Sequence, residues 1–257
     1  MWTRSDDPAG SAALVAAAGR ALDRLPPDAP VPLRARLLTT VAVESRGLPG
    51  LRGPAAARAA EELARASGDP ALLASALGAV YLHTCGRTGL AAERDAIGAE
   101  LVELAGRAGL DTHLVLGHLV RLQARSALGD LAGAAGHADV LDRLAVRSER
   151  PLATVFTTGW RALRRVLEGA PDAEDVLTTA LRPLGDAGMP GVAEGPLPLA
   201  LTCLRVERGR PAGPVGDPGP YAPWVRPHLL LVQDRAAAAA ALRDLPDPPP
   251  GLLLEAL

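Results

Sequence analysis

The chain has no lysine and no asparagine, and each of its 27 basic residues is arginine. Isoleucine and phenylalanine occur once each, at Ile97 and Phe156. These four residue types share AT-rich codons. The pattern therefore reads as coding bias, not as selection for the bidentate phosphate chemistry of arginine. Without lysine, no Gly-x-x-x-x-Gly-Lys-Ser/Thr phosphate loop can be built, and no Gly-x-Ser-x-Gly nucleophile elbow is present. Aromatic residues make up 2% of the chain, too few for stacking platforms that hold single strands. The 27 basic residues stand against 29 acidic ones, a net charge of −2, so the basic footprint of a nucleic-acid binder is missing. Two cysteines, Cys85 and Cys203, are too few for a disulfide framework and read as reduced core thiols. The first eight residues hold no apolar signal core, and no run of 18 apolar residues exists anywhere. A cytoplasmic protein, neither secreted nor membrane-spanning, is expected.

What is present is a count. Gly89, Gly129, Gly169 and Gly209 fall 40 residues apart three times running, each closing a helical stretch at a short turn. Arrays of helix pairs repeat at roughly 34 to 47 residues. Other columns keep the interval: Leu101, Leu141 and Leu181; Leu104, Leu144 and Leu184; Val80, Val120 and Trp160; Ala76, Leu116 and Phe156. Leucines three apart share one helix face, so these columns predict seams between stacked hairpins. Ile97 and Leu177 add a level where the middle repeat has His137.

Ala, Leu, Arg and Glu dominate, all strong helix formers, and sustained apolar–polar alternation is absent. The predicted fold is all-α, a tetratricopeptide-like α-solenoid of about five to six hairpins with repeats of about 40 residues. The spacing predicts a lead helix over 10–25. It then predicts hairpins 32–46 with 54–67, 70–87 with 90–108, 111–128 with 130–147, and 151–168 with 172–186, and a further helix over 193–208. Asp69-Pro70 reads as an N-cap followed by proline at the first helical position, and Asp130 caps the helix after Gly129. Residues 1–209 thus form the regular array. Residues 210–220, with four prolines and three glycines, form a loop, and 221–257 hold the last helices of the same solenoid. Leu252, Leu253 and Leu254 end the chain where an array normally has a polar cap. They suggest truncation, or a homodimer formed through the C-terminal helix.

The five histidines include no i, i+4 pair, and adjacent carboxylates such as Glu61 and Glu62 point to different faces. No metal, cofactor or catalytic set is expected. One polar pattern does keep the count: Arg125, Arg165 and Arg205 form a column, and Arg121 and Arg161 a second one four residues earlier. Stacking would align them as a basic ladder, with Tyr81 before it, His118 one turn before Arg121, and Trp160 beside Arg161. The ladder is either a solvated stripe or the polar lining of a concave groove for an acidic peptide or anionic ligand.

The segments Leu33 to Leu38, Ala59 to Ala74 and Leu128-Gly129-Asp130-Leu131-Ala132-Gly133-Ala134 resemble the tetratricopeptide-like C-terminal sensor region of large bacterial regulators. These are the LuxR-type activators and the antibiotic-regulatory proteins with a bacterial transcriptional activator domain. The resemblance runs diffusely over about residues 13–245. It implies stacked helix hairpins that sense a partner or signal for transcriptional regulation. The chain departs from the full pattern in having no nucleotide-binding loop and no helix-turn-helix, so neither ATP hydrolysis nor DNA contact is carried over. The expected function is a non-catalytic module that binds a protein partner or small-molecule effector. The alternative is a small-molecule binder, or an atypical helical enzyme of a biosynthetic pathway, working through the groove near Tyr81, His118, Arg121 and Trp160.

Overall fold

The computed structural model describes residues 7–46, 50–85, 87, 89–147, 151–182, 195–213 and 216–246. Among them are twelve α-helices and no strand. These are α1 (Pro8–Arg24), α2 (Val31–Glu44), α3 (Arg52–Ser67), α4 (Pro70–Thr84), α5 (Ala91–Ala108) and α6 (Asp111–Ala127). They continue with α7 (Leu131–Arg147), α8 (Pro151–Leu167), α9 (Ala173–Leu181), α10 (Pro196–Glu207), α11 (Ala222–Leu231) and α12 (Arg235–Arg243). A single 3-10 turn, Gly219–Tyr221, precedes α11. The predicted helices match these within a few residues, and none of them is long and apolar enough to cross a membrane. Leu184 and Leu252 to Leu254, on which a seam and a dimer contact were expected, lie outside the described residues.

The glycine count has a backbone cause. Gly89, Gly129, Gly169 and Gly209 have φ of 78°, 78°, 77° and 64°, the left-handed region that a Cβ disfavours. Three of the turns close identically. Gly129 N–H donates to Ser126 O and Asp130 N–H to Arg125 O; Gly169 and Ala170 do the same to Val166 and Arg165, and Gly209 and Arg210 to Val206 and Arg205. Each turn thereby satisfies carbonyls that a helix end would otherwise leave without partners. The arginine column therefore marks the residue whose carbonyl accepts from the N–H just after the glycine, in the last turn of each first helix. A cation there is favoured by the negative end of the helix dipole.

Contacts divide the chain into two compact units, the first running to Leu144 and the second from Ala145 to Asp247. In the first, each helix from α1 to α6 packs on its sequence neighbours, and α4 packs on both α2 and α6. Its main core joins Val41, Leu77, Val80, Ile97 and Leu101, with Leu104 and Leu116 packed against it. Leu101, Leu141 and Val120 are fully enclosed, as the columns require. α5 and α6 approach closely. A Cβ on Gly117 would lie 3.0 Å from the Val102 backbone nitrogen, and one on Gly98 2.6 Å from Arg121 Cγ, so only glycine fits this seam without a shift. On the second helices, Arg58 pairs with Glu93 and Arg65 with Glu100 at 2.5 Å, two ion pairs between α3 and α5 at the same sequence offset. The second unit has its own core of Ala162, Ala173, Leu177, Ala180 and Leu204.

Candidate functional site

In the first unit, the polar column residues gather between α5, α6 and α7. Asp95 on α5 accepts from Arg121 Nε at 3.1 Å and Arg125 Nε at 2.9 Å, while Arg125 also reaches Asp130 at 3.0 Å. Burial alone would raise the Asp95 carboxyl, but these hydrogen bonds outweigh it and hold the group below the usual carboxylate range. Asp130 is held low first by the Gly133 N–H that it caps and then by Arg125. Arg121 and Arg125 are thus clamps between successive helices, with their charge already matched.

One turn before Arg121, His118 is buried, and its Nδ1 lies 2.9 Å from Nδ1 of His137 on α7. The rings tilt by 51° with centroids 5.2 Å apart, so one imidazole donates its Nδ1–H to the bare nitrogen of the other. Burial pushes the His118 imidazole down to about 4, with His137, Arg121 and Arg143 adding to the effect. Burial also lowers His137, and the Arg121 and Arg125 charges assist while Asp95 and Asp130 oppose. Both rings are therefore neutral at pH 7. Tyr81 on α4 donates to Gln123 Oε1 at 2.7 Å, and burial pushes its phenol far up.

The remaining predicted residues belong to the second unit. Trp160 on α8 is nearly covered, with the Arg164 guanidinium 5.5 Å from its ring centroid. Arg161 is exposed on the same helix. Arg165 pairs with Asp172 at 3.0 Å, both side chains about half exposed. Arg205 on α10 reaches Glu174 on α9 at 2.8 Å and donates to Ala212 O at 2.7 Å. Arg205–Glu174 repeats the relation of Arg125–Asp95, a first helix tied to the second helix of the hairpin before it. Tyr81, His118, Arg121 and Arg125 thus lie in one unit, and Trp160, Arg161, Arg165 and Arg205 in the other.

The structure adds a feature that the columns do not announce. A cavity of about 350 Å³ opens in the first unit between α2 and α4, lined by Arg36, Thr39, Thr40, Asp69, Ala71, Leu72 and Ser75. The helical spacing of Arg36, Thr39 and Thr40 puts them on one face, and that is the signal that could have found it. His113 on α6 stands behind Ser75, its Nε2 3.3 Å from Oγ. Among the described residues, no group of three or more His, Cys, Asp or Glu side chains is arranged to hold a metal. Comparison with family models, with curated proteins and with solved structures finds no match to this chain.

Proposed function

We propose that the protein is a non-catalytic helical-repeat module that recognises a protein partner or a signal ligand, and that it does so in the cytoplasm of a bacterium, in transcriptional regulation. The observation that carries this reading is how the repeat spends its polar residues. Arg121, Arg125 and Arg205 tie neighbouring helices together, and the leucine columns fill the seams. Such a build supplies extended helix faces for binding. Its resemblance to regulator sensor regions supplies the regulatory context.

Within the arginine columns, Arg165 is the residue from which an acidic partner can draw most readily. Its pair with Asp172 is exposed at both ends, so exchanging it for a partner's carboxylate costs little. Partners captured from the native cell are to be purified and titrated against the isolated chain. Arg165→Ala should weaken the affinity by about tenfold, the scale of one charge-assisted contact. Unchanged affinity removes the column from the recognised surface. A chain that binds no protein or signal ligand, yet turns over a metabolite, rejects the whole reading.

The second reading, a small-molecule binder or atypical helical enzyme, draws on the paired imidazoles of His118 and His137. Neutral at pH 7 and 2.9 Å apart, they form a hydrogen-bonded imidazole pair. Substrate turnover lost in His137→Leu would favour it.

A further inference from the structure

We propose that the α2–α4 cavity is a receptor site for a small zwitterion of the α-amino-acid type, its carboxylate on Arg36 and its ammonium on Asp69 and the oxygens of Thr39, Thr40 and Ser75. The site belongs to the first unit, and this proposal does not depend on the partner surface proposed above.

The chemistry follows from an inventory of donors and acceptors. Thr39 Oγ1 donates to Ala35 O at 2.9 Å, Thr40 Oγ1 to Arg36 O at 3.1 Å, and Ser75 Oγ to Ala71 O at 2.9 Å. Each hydroxyl is placed to donate to the preceding helical turn, and in that arrangement its oxygen turns lone pairs toward the cavity. Ser75 Oγ also lies 3.3 Å from His113 Nε2. Asp69 Oδ1 accepts from the Ala71 and Leu72 backbone nitrogens at 2.9 and 3.1 Å, which leaves Oδ2 as a further acceptor. The cavity wall is therefore rich in acceptors.

Arg36 is the exception. Among the described residues the Arg36 guanidinium makes no ion pair or side-chain hydrogen bond, unlike Arg58 and Arg65 on the neighbouring α3. It supplies the cavity's positive charge, set against the carboxylate of Asp69. An inorganic anion would meet that carboxylate and, in that arrangement, the lone pairs of three hydroxyl oxygens. A metal cation would meet the guanidinium. A ligand carrying both an ammonium and a carboxylate satisfies both ends at once. The volume of about 350 Å³ lies at the small end of ligand pockets, which run from roughly 300 to 1,000 Å³, and suits one amino acid better than a peptide segment.

The test is a thermal-shift and calorimetric screen of the full chain against the free α-amino acids. Arms with N-acetyl amino acids, amino-acid amides, tripeptides and inorganic phosphate run beside it. One or more free amino acids should raise Tm through binding to the folded state, and blocking either end should cost about tenfold or more in affinity. Arg36→Ala should lose about the same while melting like the parent, since the side chain is exposed and supports no other group. Thr40→Val, which removes an acceptor and keeps the shape, should weaken binding with Arg36 intact. The proposal is overturned if no free amino acid shifts Tm, if N-acetyl derivatives, tripeptides or phosphate bind as well as the free amino acids do, or if Arg36→Ala leaves affinity unchanged. Partner capture that persists through such a result leaves the module reading standing alone.

Discussion

Replacing Arg94 with alanine should cost the first unit about 3 kcal/mol, the scale of two lost hydrogen bonds from a charged donor and the cavity left by the side chain. Arg94 is 1% exposed, the largest fully buried side chain described. Its Nη1 donates to Thr84 O at 2.9 Å and to Arg87 O at 3.0 Å, at and just beyond the C-terminus of α4. The Thr84 carbonyl is buried and also accepts from the Arg87 N–H at 3.1 Å, while Arg87 itself is exposed. The guanidinium satisfies two carbonyls and places a cation at the negative end of the α4 dipole. Alanine removes both bonds and opens a cavity the size of the arginine stem. Arg94→Lys should recover only part of the loss, because an ammonium lacks the planar fork. Chemical denaturation of the three proteins measures this, and an Arg94→Ala loss under about 1 kcal/mol would show that water takes over the carbonyls.

Arg94 also shows where the sequence stops being readable. Its 40-residue successors are Ala134 and Glu174, so no column marks it, and a single arginine among helix formers looks solvent-facing. The glycines are the opposite case. A residue forced to positive φ in the same turn of each repeat is written directly into the spacing, and Gly89 to Gly209 therefore located the hairpins. The leucine columns carry similar information, because burial at one seam constrains the same position in the next: Leu101 and Leu141 are both fully enclosed.

The arginine columns were legible as positions and not as contacts. Asp95 and Glu174 stand 30 and 31 residues before Arg125 and Arg205, but that offset means nothing until hairpins pack in a known direction. His137 was visible as a polar residue in an apolar column. That it meets His118 depends on the angle between α6 and α7, which no periodicity encodes. The cavity eluded the columns for a further reason: Arg36, Thr39, Thr40 and Ser75 belong to α2 and α4, where the 40-residue count had singled out no polar residue before Tyr81.

Acid should loosen the first unit before Asp95, Glu100 and Asp130 titrate. His118 is held near 4 in the folded protein against about 6.5 in an unfolded chain, and His137 is lowered as well. A depressed folded value means that the unfolded chain binds the proton first. The contribution is therefore complete above about pH 6.5 and is lost as the pH falls from there toward 4. A gap of that size at about 1.4 kcal/mol per unit, discounted for the water that reaches the pair, gives a loss of roughly 2 kcal/mol.

Protonating both rings would set two cations in place of an N–H···N bond of 2.9 Å, with Arg121, Arg125 and Arg143 nearby and Asp95 and Asp130 offsetting them in part. Asp95, Asp130 and Glu100 are held below their ordinary values and so titrate lower still. His83 and His113, also lowered by burial, add to the slope in the same window. The discriminating protein is therefore the double variant His118→Phe, His137→Leu, which puts an aliphatic residue where Ile97 and Leu177 stand in the neighbouring repeats. Its denaturation midpoint between pH 8 and pH 4.5 should change much less than that of the parent. An identical decline in the two proteins would assign the acid sensitivity to His83 and His113 and leave the α6–α7 histidine pair with no part in it.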